Sequence, residues 1–103
     1  MKNMETISAH QRLLAQVTRF VIQATKQILV IKHEKNGSSL RVIYTLKDYT
    51  RFPPNSEMII EISHAGKVKL TQATGFFNSF QKQIKDKLNE FSKERRHGGT
   101  KVE

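Results

Sequence analysis

Cysteine is absent from this 103-residue chain, which excludes a disulfide framework and any thiolate metal site and fits a reducing compartment. Acidic residues are scarce, with nine Asp plus Glu against 18 Lys plus Arg and a formal net charge of +9. No apolar run approaches the roughly 20 residues that span a bilayer. The N-terminus lacks the apolar core of a secretory signal, so a soluble cytoplasmic protein without membrane insertion is expected. Catalytic chemistry is thin as well. Asp occurs only at Asp48 and Asp86, and His10, His33, His64 and His97 lie in different elements with no metal-ligand spacing. Neither a Gly-rich phosphate loop nor a Gly-x-Ser-x-Gly elbow is present. No enzymatic activity, cofactor or metal is therefore expected. With 37% hydrophobic and 8% aromatic residues, the chain can bury one modest core and not two.

What is abundant is positive charge, and it is unevenly spread. Residues 26–51 carry a net +4 and residues 67–101 a net +6, whereas residues 52–66 carry −2. Phosphate is the natural partner for such an excess, because Lys and Arg displace counterions condensed on a nucleic acid and gain that release as affinity. The same balance would also serve an acidic membrane or protein surface, or solubility alone.

Hydrophobic spacing organises the rest. Leu13, Leu14, Val17, Phe20, Val21 and Ala24 fall on one helical stripe and predict a helix over residues 8–25, with Ser8 and Gln11 spaced as a capping box at its start. Residues 27–33 are short and β-branched and predict a strand, with Leu29 and Ile31 on one face and Ile28, Val30 and Lys32 on the other, broken by Asn36-Gly37. Residues 57–63 and 67–73 predict two further strands joined by a hairpin at His64-Ala65-Gly66. In the latter, Val68 and Leu70 alternate with Lys67, Lys69 and Thr71, which describes a sheet with one buried and one open cationic face. A second helix over residues 75–96 follows from Phe77, Phe80, Ile84, Leu88 and Phe91, a stripe that reads as core. Gly98-Gly99 should end the ordered part and leave residues 98–103 as a flexible tail to a single domain of residues 1–97.

Residues 36–56 admit two readings. Leu40, Val42, Tyr44 and Leu46 alternate with Arg41, Ile43, Thr45 and Lys47, which supports a fourth strand. The segment then meets Pro53-Pro54, which cannot belong to a paired central strand. As a long basic loop it would interleave Arg41, Lys47 and Arg51 with Tyr44, Tyr49 and Phe52, the combination in which cations hold phosphates while rings stack on unpaired bases. As a partly disordered insertion, its aromatics would only pin it to the core.

Three stretches carry a family likeness. Leu13 to Phe20, Ile28 to Gly37, and Gly66-Lys67-Val68-Lys69-Leu70-Thr71 followed by a helix with Phe80 resemble the Alu-domain proteins of the signal recognition particle, the larger subunit above all. The resemblance implies an α+β fold, a single α-β-β-β-α domain whose antiparallel sheet has both helices on one face and a basic open face. It further implies a heterodimer with the smaller sister subunit that binds the Alu portion of the particle's RNA and contacts the ribosome indirectly. Lys32, Lys67 and Lys69 would then face the RNA, with Arg41, Lys47 and Arg51 in the long loop, and Lys93, Arg95 and Arg96 would occupy the basic segment that delays elongation. The smaller sister itself, a generic nucleic-acid binder and a protein-interaction module using the sheet edge stand as alternatives.

Overall fold

The structure is a computed structural model that describes the backbone of residues 2–101 and the side chains of residues 11–91. Helix α1 spans Lys2–Thr25, followed by strands β1 (Leu29–Asn36), β2 (Ser39–Leu46), β3 (Glu57–Ile62) and β4 (Val68–Thr74), a 3-10 turn over Gly75–Phe80 and helix α2 (Gln81–Lys101). The strands form one antiparallel sheet in the order β1-β2-β3-β4. The fold is α+β, as the sequence implied, with a fourth strand in the sheet.

That strand corrects the long basic loop over residues 36–56. Gly37 takes φ +67 in a two-residue turn that brings Asn36 opposite Ser39, a connection short enough to pull the next segment into the sheet. Val42, Tyr44 and Leu46 are then buried and Arg41, Ile43 and Thr45 lie on the other face, so the alternation is that of a half-buried strand. Only residues 47–56 remain as loop, where Pro53 and Pro54 find no ladder to interrupt.

Helix α1 presents Leu13, Val17 and Val21 to the core at successive spacings of four, each no more than 2% exposed. It begins at Lys2, so Ser8 and Gln11 are interior, where N–H groups already bond to carbonyls four residues back and a capping box has no orphan donor to serve. From the 3-10 turn and α2, Phe77, Ile84 and Leu88 are buried, with Phe80 and Phe91 half-buried. The helical backbone continues past Gly98-Gly99, where the sequence suggested an end, to Lys101. Both helices contribute to a single cluster with Val42, Tyr44, Leu46, Met58, Ile60 and Ile62, which places them on the same face of the sheet. No helix among the described residues is long and apolar enough to cross a membrane.

Tyr44 ties α1 to the sheet. Its ring is fully buried and its hydroxyl shares a 2.8 Å hydrogen bond with the Thr18 hydroxyl. Burial pushes the phenol up to about 12 from 10.0, against a smaller downward pull from Thr18. The folded state thus favours the neutral phenol, and its stabilisation is whole below pH 10 and is lost as the pH rises towards 12. At pH 11 the loss is on the order of 1–1.5 kcal/mol. Urea midpoints at pH 9 and pH 11 should therefore fall more steeply for the native chain than for Tyr44→Phe, in which every other titrating group is shared. Equal slopes would refute this.

Candidate nucleic-acid interface

The face of the sheet turned away from the helices carries Lys32 and Glu34 from β1, Arg41, Ile43 and Thr45 from β2, Glu57, Ile59 and Glu61 from β3, and Lys69 from β4. Register sets one row of alternating charge directly across four strands: Glu34 opposite Arg41, Arg41 opposite Glu61, Glu61 opposite Lys69. Opposite charges facing each other across a ladder support the pairing of their strands. Arg41 Nη2 donates to Glu61 Oε2 at 3.3 Å, and Arg41 Nε is buried without a partner among the described residues. Arg41 is thereby committed to its neighbour strand. The strand positions of this face hold three cations interleaved with three carboxylates, and Lys67 and Lys47 add charge just beyond its two ends.

The six residues singled out by sequence do not form one patch. Lys32 and Lys69 are exposed on opposite edge strands of the open face. Lys67 is exposed in the β3–β4 turn, where its backbone N–H donates to the Ser63 hydroxyl at 3.0 Å and its carbonyl accepts from the Ser63 N–H at 2.8 Å. Lys47 follows β2 at the other end of the sheet, and Arg51 lies in the 3-10 turn Tyr49–Arg51, 3.7 Å from Asp48 and 5.9 Å above the Phe52 ring. Six residues at strand rise separate Arg41 from Lys47 by about 20 Å. The side chains of Lys93, Arg95 and Arg96 lie outside the described residues.

Of the three aromatics expected beside these cations, one is placed to meet a ligand. Tyr44 is core, and the Phe52 ring packs on Phe76 with centroids 4.8 Å apart. Tyr49 is 74% exposed. It borders a cleft of about 670 Å³ between the 47–56 loop and the open face, whose walls include Pro53, Asn55, Glu57, Gln72 and Thr74. Gln72 Nε2 donates to Glu57 Oε1 at 2.8 Å across β3 and β4, and the Thr74 hydroxyl donates to the Asn55 carbonyl at 2.6 Å. A bulge between Ile59 and Ile60, opposite Gln72 and Leu70, turns Gln72 to the open face and Ala73 to the core. Sequence reasoning missed Glu57, Gln72 and Asn55 because their meeting depends on strand register and on that bulge; Gln72 follows an alternating run that carries no mark of either.

No family model, no curated protein and no solved structure matches the chain.

Proposed function

We infer that the chain is a binding protein for nucleic acid, RNA in particular, rather than an enzyme. The observation that carries this reading is a net charge of +9 of which little is used internally: among the described residues only Arg41, Arg51 and Lys87 enter ion pairs. Lys32, Lys47, Lys67 and Lys69 are exposed and suit phosphate, and Tyr49 beside Lys47 and Arg51 suits an unpaired base. The narrower form of the proposal follows the family resemblance: the larger Alu-domain subunit of the signal recognition particle, working in the cytoplasm with the smaller subunit on the particle's RNA and delaying elongation through Lys93, Arg95 and Arg96. In its favour is the order of a helix, an antiparallel sheet and a helix. Against it stands β2, which occupies the segment where the resemblance implies a long loop.

Two measurements test these levels separately. If about five phosphates are engaged, log affinity against log salt should have a slope of about −3.5 to −4.5, and Lys67→Ala with Lys69→Ala should flatten it by about 1.4–1.8 while changing stability by no more than roughly half a kcal/mol. A flat response in the native chain removes nucleic acid as the ligand. Sequencing of RNA that co-purifies from native cells tests the narrower form: a structured particle RNA supports it, and a random pool argues for a general binder.

A further inference from the structure

Strand β1 is an edge of the sheet. Among the described residues β1 and β4 each have a strand neighbour on one side only, and α2 packs against β4. Three of the five large hydrophobic residues exposed among the described residues lie in β1 or just before it: Ile28 is 72% exposed, Val30 49% and Ile31 38%. Val30 and Ile31 point to opposite faces, so the N-terminal half of this strand is apolar and exposed on both faces. Proteins ordinarily blunt such an edge, because its unpaired backbone is a template for another strand.

The polarity of that template can be read from the ladder. The Lys47 N–H donates to the Ile28 carbonyl at 3.0 Å, and the register continues with Leu29 opposite Leu46. Residues of an antiparallel strand point their backbone groups alternately to either side. The N–H and C=O groups of Ile28, Val30, Lys32 and Glu34 therefore serve β2, and those of Leu29, Ile31, His33 and Lys35 face outward.

We propose that a second copy of this chain occupies the edge, β1 pairing antiparallel with its own counterpart about a two-fold axis at Ile31, to give a continuous eight-stranded sheet. The strand is self-complementary in that register. Outward-facing Leu29, Ile31 and His33 meet His33, Ile31 and Leu29 of the other copy, which lets the free backbone groups pair. Val30 meets the aliphatic stem of Lys32, and Ile28 meets that of Glu34, so the apolar half of the strand fills the centre and no like charges stand opposite. Moving the axis one residue to Lys32 would set two ammonium groups face to face, a destabilising arrangement. Moving it to His33 leaves the apolar residues at the periphery and gains only exposed ion pairs, each worth little. A two-fold contact of this kind closes on itself. The inference stands on the sheet edge alone and is independent of the RNA reading.

The absence of Cys makes a direct test clean. Light scattering of the native chain should give twice 11.9 kDa. In Ile31→Cys the two sulfurs would sit on directly opposed residues of a hydrogen-bonded pair, with Cα atoms about 5.5 Å apart, inside the range a disulfide spans. Mild oxidation should therefore convert it to a covalent dimer. Lys35→Cys, whose counterpart would lie about 27 Å away, should not cross-link. Ile31→Lys should yield a monomer with unchanged circular dichroism. A native chain that is monomeric, a dimer whose Ile31→Cys form does not cross-link, a dimer that survives Ile31→Lys, or a monomer that pairs only with a different polypeptide would each overturn the proposal.

Discussion

Phe77→Ala should destabilise the protein by about 3–5 kcal/mol, the range for truncating a fully buried aromatic ring. Phe77 is 0% exposed and sits in the 3-10 turn between β4 and α2, where it belongs to the cluster that joins both helices to the sheet. Its ring meets that of Phe76 edge-on at 5.4 Å, a contact that adds to area burial. The surroundings cannot collapse cheaply into the void, because the backbone on either side is held. Upstream, the Phe76 N–H donates to the Ser56 hydroxyl at 2.9 Å; downstream, α2 begins at Gln81 with Ile84 and Leu88 buried in the same cluster. A domain of this size has only about 5–15 kcal/mol to lose, so the variant should be partly unfolded well below the native melting temperature. Urea denaturation followed by circular dichroism gives the number. Phe80→Ala, at a half-buried position on the same turn, should cost clearly less; equal costs would show that the turn's burial is not what holds the chain together.

Gly75→Ala should cost about 2–5 kcal/mol for two reasons that act together. Gly75 has φ +57, in the left-handed region where a Cβ costs about 1–2 kcal/mol. That Cβ would also collide with the Ser56 hydroxyl and approach the Ser56 Cα to 2.8 Å, an overpacking that adds about 1–3 kcal/mol. Ser56 cannot step aside freely, since its hydroxyl donates to the Pro53 carbonyl at 2.6 Å while accepting from Phe76. The loop over residues 52–56 and the wall of the Tyr49 cleft would shift with it. Gly37→Ala isolates the first contribution: φ is +67 but no atom lies within 4 Å of the new Cβ, so only about 1–2 kcal/mol is expected. If the two variants lose the same stability, the close approach to Ser56 plays no part.

The stripes of Leu13, Val17 and Val21 in α1 and of Phe77, Ile84 and Leu88 towards α2 were legible because helical burial repeats within a few residues, and local spacing carries it. The same holds for the alternation in β3 and for the turns at Gly37 and Gly66, where Gly takes φ +67 and +87. Net charge was equally plain. Other features depended on partners distant in the chain. Leu40 to Leu46 alternated as a strand should, but only β1 on one side and β3 on the other made it one, and that moved Tyr44 from a candidate stacking ring to the core. Arg41 counted as a free cation until register put Glu61 across from it. The sequence by itself determined an α+β chain with two core-facing helices, one modest core and a large positive excess, since periodicity and composition are local or additive properties. Tertiary structure alone decided which of the described cations remain unpaired, that Tyr49 rather than Tyr44 faces a cleft, and that β1 is an edge strand, because each follows from cross-strand register, which no single segment encodes.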